Sequence, residues 1–481
     1  MEEKTTKRTL GLLDTTLLVA GSMIGSGIFI VSSEMSRTVG SPAWLLVCWI
    51  LTGLITVFAA LSYGELAGMM PQAGGQYVYL RKAYNPLIAF LYGWTVFLVI
   101  QTGVIAAVAV AFAKYVGVFF PLFNEQNVLL TIGGFKLKHA QLLAIACIAF
   151  LTWLNVQGIQ YGKLIQRLFT SAKLIALFGL IAIGIYFGFT SDTLSMNFTN
   201  AWDASAQVPV IENGAATGAF ETIDLNGLVL LGAVGVALIG SLFSSDAWNN
   251  VTFIAGEIKE PQRNIPLGLF LGTFIVTVIY VLANIAYLCL LPMHDIQFAE
   301  HDRVGAAAMA VVFSGNTAAY LMAGLIIVST FGCNNGLILA GSRLFQAMAK
   351  DGLFFKRAEK LNNKGVPASS LLFQGIWASV LCLSGSYNDL LEYATFASLI
   401  FYMVTILAIF ILRKKDPLAE RPYKAFGYPV VPALYILVTF AICADLLYFK
   451  TASTGIGLCI VALGIPVYYL IAKKTKTNAA L

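Results

Sequence analysis

The sequence predicts an all-α integral membrane protein: twelve transmembrane helices arranged as two inverted repeats of five, with two accessory spans. Three observations predict this. First, of 481 residues, 58% are hydrophobic and 11% charged, with a mean hydropathy of +0.80. A soluble domain of this size needs more charge to cover its surface. Second, twelve apolar runs approach the ~20 residues that carry a helix across a bilayer. Third, the first and sixth runs are interrupted at their middles by small and polar residues. Lipid tolerates irregular backbone only where it faces protein or a water-filled cavity.

The spans are expected at 14–37, 42–69, 86–118, 139–157, 164–188, 225–255, 265–291, 315–349, 367–385, 388–412, 428–448 and 454–472. The polar stretch 189–224 is the longest connection. Residues 292–314 form a second one, with a short surface helix at Val304–Phe313. The MEEKTTKR start leads straight into the first span with no visible cleavage signal. Arg81-Lys82, Lys356-Arg357, Arg413-Lys414-Lys415 and Lys473-Lys474 all fall on one side of the alternating spans. The positive-inside rule then places both termini in the cytoplasm and the 189–224 loop outside. The expected division is a tail at 1–13, a core at 14–412, accessory spans at 413–472 and a tail at 473–481.

Span 1 is interrupted by Gly21-Ser22-Met23-Ile24-Gly25-Ser26-Gly27. Glycine relieves the limits on φ and ψ, so the helix can unwind here. Unwinding frees N–H groups at the start of the second half-helix, an end that attracts anions. It also frees carbonyls at the end of the first half, which suit an ammonium or a small cation. An α-amino acid carries both charges. The competing reading is a packing face of small residues.

Span 6 is interrupted by Ser244-Ser245-Asp246-Ala247-Trp248-Asn249-Asn250, next to Phe243. A carboxylate at a helix centre costs about 2.5–3.5 kcal/mol on insertion scales, so Asp246 reads as functional, as a cap of the second half-helix, or as both. Phe243 and Trp248 either close a pocket or pack in the core. If spans 1–5 and 6–10 are repeats of odd length, they are inverted and both breaks open a repeat, the arrangement of secondary transporters.

Lys173, in the expected span 5, either snorkels to the interface or places its ammonium among the freed carbonyls of span 1. Glu65 in span 2 and Arg343 in span 8 are expected to pair structurally near the cytoplasmic side. The seven cysteines fall in apolar runs without a CxxC pair and read as packed small hydrophobes. His139, His294 and His301 assemble no catalytic or metal cluster. No cofactor, metal or nucleic-acid partner is expected, and an enzyme is disfavoured.

At this point the chain resembles the amino acid–polyamine–organocation superfamily, and within it the L-type amino acid transporter branch. The resemblance rests on GSMIGSGIF at 21–29, PQAGGQYVYLRKAYNPLIAFLYGW at 71–94, RLFTSAKLIAL at 167–177, LFSSDAWNNVTFIAGEIKEPQRNIP at 242–266, FGCNNGLILAGSRLFQAMAKDG at 331–352 and RPYKAFGYPVVP at 421–432. It implies a LeuT-type fold. It implies a substrate carboxylate held at Gly25, Ser26 and Gly27, beside Ser22. It also implies an α-amine held by carbonyls at Met23, Ile24, Phe243 and Ser244, and a gate at Phe243. Lys173 then stands in for a sodium ion, and Asn334 and Asn335 face the pocket with Asp246. Relatives linked to a glycoprotein heavy chain carry a cysteine after span 3. Residues 119–138 contain none, so no disulfide-linked heavy chain is expected. Ser245 and Ala247 depart from the family's AYDGWN, which leaves specificity open. The expected activity is sodium-independent exchange of amino acids at the cell membrane by alternating access. The alternatives are a proton-coupled amino acid symporter and a cationic amino acid or polyamine carrier.

Overall fold

A computed structural model describes residues 8–124, 126–132, 135–212, 215–314, 316–384 and 387–479. The remainder, including residues 1–7 of the expected N-terminal tail, lies outside the described residues. Ten helices are long and apolar enough to cross a membrane by length and composition. Two shorter apolar helices, Leu12–Met23 and Ala368–Cys382, stand where spans 1 and 9 are expected.

Helix limits follow local chemistry. Span 2 (Pro42–Met69) starts at Ser41, whose hydroxyl accepts from Trp44 N–H at 3.2 Å, with proline in the first turn. Span 3 (Pro86–Phe119) starts in the same way at Asn85, which accepts from Ile88 N–H at 3.0 Å. Gly40, at φ 55°, ends the second half of span 1 in the left-handed region.

Around an apolar core, the outside is also apolar and some polar side chains are buried, unlike a soluble protein. Large apolar residues such as Leu168, Ile175, Leu228 and Leu437 are exposed, while Gln76, Asn155, Asn284, Arg343 and Lys173 are buried. Without a hydrophobic drive between helices in lipid, close packing and interhelical hydrogen bonds hold spans together. Span 1 rests on span 7 (Pro261–Leu290) through Gly268 and Gly272, where a Cβ would come within 2.4–2.5 Å of Thr15 and Val19.

Three sequence expectations need correction. Span 5 runs Ile159–Gly188, starting five residues earlier than 164. Lys173 therefore lies midway along it and is fully buried, too far from either end to snorkel. Second, two connections of the all-α bundle are not plain loops. Antiparallel hairpins pair Val128–Ile132 with Phe135–Lys138 and Ser205–Glu212 with Ala215–Asp224. Their β-branched residues outside the spans can satisfy their backbone by pairing instead of by a helix. Third, Glu65 and Arg343 do not pair. Glu65 binds Arg413 at 2.6 and 2.9 Å, Arg421 at 3.3 Å and the Ala425 N–H at 2.7 Å. Arg343 binds Glu257 at 2.9 Å. Each carboxylate takes the guanidinium that the helix packing delivers to it.

The face that carries Thr9 is closed by polar ties. Thr9 and Leu10 N–H both donate to Glu257 O, at 2.9 and 3.0 Å. Asp14 binds Lys163 at 2.8 Å and also Arg167.

Candidate functional site

The first break separates span 1a (Leu12–Met23) from a 3₁₀ turn at Gly27–Phe29 and span 1b (Val31–Val39). Ile24 leaves the helix with φ −77° and ψ 98°. A helix end leaves carbonyls without partners, and here neighbouring spans supply the donors. Lys173 Nζ donates to Gly21 O at 2.7 Å, Ile24 O at 2.6 Å and Ser329 O at 3.3 Å. Cys333 Sγ lies 3.1 Å from Ser22 O. Tyr280 Oη donates toward Met23 O at 3.2 Å. Ser329 Oγ reaches Ile24 O and Gly25 O at 3.2 and 2.9 Å. The carbonyl side of the break is therefore occupied by protein donors.

The N–H side is not. Among the described residues, the backbone N–H groups of Gly25, Ser26 and Gly27 donate to no backbone carbonyl. N–H groups without a backbone acceptor at the start of a half-helix are free to receive an anion.

The second break follows Gly227–Ser244 and precedes Asn250–Phe253. Between them Ala247 adopts φ 64°, a left-handed conformation that reverses the chain. The two breaks touch. A Cβ on Gly27 would lie 2.1 Å from Ser244 Oγ, and Tyr280 Oη also reaches Ser244 O at 3.0 Å. Tyr280 thus bridges the ends of both half-helices. The structure brings Ser22, Met23, Ile24, Gly25, Ser26, Gly27, Ser244 and Lys173 into one locality.

Phe243 stands beside it. With Val31, Met35, Gly240 and Thr395 it lines a cavity of about 100 Å³ whose rim carries Glu34 and Lys450.

Asp246, Asn334 and Asn335 are placed differently. The Asp246 carboxylate turns to span 10 (Tyr387–Lys415), accepting from Tyr402 Oη, with Ser398 Oγ at 3.5 Å. It does not cap the second half-helix, whose N-cap is Asn249, without a side-chain cap bond. Asn335 Nδ2 donates to Gly162 O at 2.9 Å and to Gln166 Oε1 at 3.1 Å, and Oδ1 accepts from Asn155 at 3.1 Å. The Asn334 amide is set to donate to Ile105 O at 3.1 Å and to accept from the Ala109 N–H at 3.2 Å. Both asparagines tie span 8 (Thr317–Lys350) to its neighbours and do not line the break.

Sequence reasoning missed Tyr280, Ser329 and Cys333. A signal was available for the last two. They lie four residues apart on one helical face of span 8, so they meet the same neighbour. Tyr280 showed only as a polar tip in an apolar run.

A bundle of membrane-spanning helices in which two interrupted helices touch at their breaks is the architecture of a membrane transporter. The sequence places it more closely: the amino acid permease family matches residues 10–470, and the chain belongs to that family, whose members are transporters and not enzymes. Human large neutral amino acids transporter small subunit 2 is 30% identical over 470 residues, covering 96% of this chain and 80% of that protein. Mouse b(0,+)-type amino acid transporter 1 is 29% identical over 445 residues, covering 91% and 82%. The serine/threonine exchanger SteT of Bacillus subtilis (strain 168) is 29% identical over 478 residues, covering 98% and 99%.

Proposed function

We propose that this permease exchanges amino acids across the plasma membrane without sodium, by alternating access around the two breaks. One observation carries the reading. The carbonyl ends of span 1a are met by a resident ammonium, Lys173, while three N–H groups opposite remain unengaged. A fixed cation removes the need for a bound metal ion to hold the unwound backbone. The free N–H groups suit a carboxylate.

In this reading Gly25, Ser26 and Gly27 hold the substrate carboxylate beside Ser22, and the carbonyls of Met23, Ile24, Phe243 and Ser244 receive its α-amine. A carbonyl has two lone pairs, so Met23 O and Ser244 O, each bonded to Tyr280, can accept again, whereas Ile24 O already accepts from Lys173 and Ser329 and takes the amine in place of the Ser329 hydroxyl. Phe243 is the lid toward the outer cavity, and Asp246 borders the site. Asn334 and Asn335 brace it from span 8. Spans 1, 2, 6 and 7 rock against the others, in a core of 14–412 with accessory spans at 413–472 and cytoplasmic termini. The relatives named as small subunits imply a partner for those proteins. Residues 119–138 of this chain lack a cysteine, so no disulfide-linked partner is proposed here.

The test is reconstitution into liposomes loaded with one amino acid, followed by uptake of a labelled panel in sodium or choline buffer. Uptake that requires internal amino acid and is equal in both buffers is expected. A strict sodium requirement overturns the role of Lys173, and uptake into empty vesicles at the same rate overturns exchange.

A further inference from the structure

Asp246 differs from three other carboxylates that the helices bury. Asp14, Glu65 and Glu257 each face a lysine or arginine at ion-pair distance. Asp246 faces neutral donors: Tyr402 Oη, Ser398 Oγ and the backbone N–H of Ala247. It borders two small cavities. One is lined by Tyr92, Gln101, Asn249 and Leu337, the other by Thr56, Ser245, Trp248 and Tyr435. Among the described residues no lysine, arginine or histidine lines either cavity. The titratable groups facing the carboxylate are Tyr92 of span 3, Tyr402 of span 10 and Tyr435 of span 11, with Tyr63 of span 2 against the Tyr402 ring at 6.1 Å.

Counting hydrogens shows what is missing. Gln76 Nε2 donates to Phe401 O at 3.1 Å and to Thr405 Oγ1 at 2.9 Å. A carbonyl only accepts, so the Gln76 amide orientation is fixed. Its Oε1 then accepts from Asn249 Nδ2 at 2.8 Å, which turns Asn249 Oδ1 toward Tyr402 Oη, 3.2 Å away. The Tyr402 hydroxyl has a single proton and two acceptors in reach, Asp246 Oδ1 and Asn249 Oδ1. With Asp246 ionised, the proton must go to the carboxylate and Asn249 Oδ1 loses its donor. With Asp246 neutral, the carboxylic acid donates to Tyr402 Oη, and Tyr402 donates to Asn249. One added proton completes the chain from Asp246 through Tyr402, Asn249 and Gln76 to Phe401.

We propose that Asp246 is a proton-binding site of the transport cycle. The ligand is H⁺, taken from water to convert the carboxylate to a carboxylic acid. Binding joins the span 6 break to span 10 by two hydrogen bonds at Tyr402 instead of one. It thereby makes the clamp between a moving helix and its support depend on pH. Its role in transport rests on the exchange reading above; its existence as a proton site does not.

The test uses wild type, Asp246→Asn and Tyr402→Phe, with equal pH on both sides of the vesicle, from about pH 5 to about pH 8. Wild-type exchange should vary with pH. On the limb where the competent fraction falls, it should change up to about tenfold per pH unit. Asp246→Asn should give a flat profile whatever its absolute rate. Tyr402→Phe, which removes the principal donor to the ionised form, should move the midpoint to higher pH. A second readout needs no transport. The native state binds a proton that the unfolded state releases, so melting midpoints of purified wild type should fall, relative to Asp246→Asn, as pH rises. If exchange is absent at every pH, the transport reading fails and the melting comparison still decides the proton site. If Asp246→Asn does not fold, the Tyr402→Phe midpoint decides. A flat wild-type profile, a slope that persists in Asp246→Asn, or an unmoved midpoint in Tyr402→Phe overturns the proposal. A water in the adjoining cavity then supplies the missing hydrogen.

Discussion

Replacing Gly27 with alanine tests whether the two breaks form one site. An ideal Cβ at Gly27 lies 2.1 Å from Ser244 Oγ, 2.8 Å from Ser244 Cβ and 3.2 Å from Ser244 Cα. Rotating Ser244 removes the first contact, at the cost of its 2.9 Å bond to Gly240 O. Rotation cannot move Cβ or Cα, so the half-helices must separate by several tenths of an ångström to restore ordinary carbon contact. Overpacking of this kind costs about 1–3 kcal/mol. If the substrate bridges both breaks, that cost falls on the bound state, and affinity should drop about 5- to 150-fold. Equilibrium binding of radiolabelled amino acids to purified protein measures this. Ser244→Gly in the same chain removes the Oγ and Cβ contacts and should restore most of the lost affinity. Binding by Gly27→Ala within twofold of wild type would refute the reasoning. So would a double variant that binds no better than the single one, since the contact at Ser244 would then not be the cause.

Three further outcomes are expected. Lys173→Ala removes the ammonium from Gly21 O and Ile24 O, and a bared buried carbonyl costs about 1–3 kcal/mol. Exchange should slow at least about tenfold while affinity changes little, because the substrate carboxylate is held by N–H groups across the break from the ammonium; paired uptake and binding assays separate the two, and an unaltered rate would make Lys173 dispensable. Phe243→Ala opens the outer cavity to the breaks, so turnover should fall with weaker coupling of uptake to internal amino acid, as closure sets many gated rates; intact, fully coupled exchange would place the lid elsewhere. Ala247→Gly relieves a left-handed backbone that costs an L-residue about 1–2 kcal/mol, against about 0.5–1 kcal/mol of added unfolded-state freedom. Its melting midpoint should rise slightly, and a fall would show that the alanine methyl contributes packing that outweighs the strain.

The apolar runs that cross and the two interruptions, one of them glycine-rich, were determined by the sequence alone, because they depend on local properties. Hydropathy over ~20 residues reports lipid contact, and small or polar residues inside such a run report where the backbone leaves lipid. The limits of spans 2 and 3 were also legible from Ser41-Pro42 and Asn85-Pro86. Partners were not legible, because pairing depends on which helix faces which. Glu65 and Arg343 looked like complementary charges, yet each meets a different residue. Which glycine is tightly packed within the protein was not legible either: a Cβ on Gly25 would meet only Cys333 Sγ, at an ordinary 3.6 Å, and the tight contact is at Gly27. Asn334 and Asn335 looked like pocket residues and turned out to face spans 3, 4 and 5. Lys173 was ambiguous until the start of span 5 and the packing of spans 1, 5 and 8 placed its ammonium on Gly21 O and Ile24 O. A sequence fixes which groups the backbone must satisfy; only the packed helices decide which donor arrives, since donor and acceptor can lie hundreds of residues apart, as Ser329 and Gly25 do.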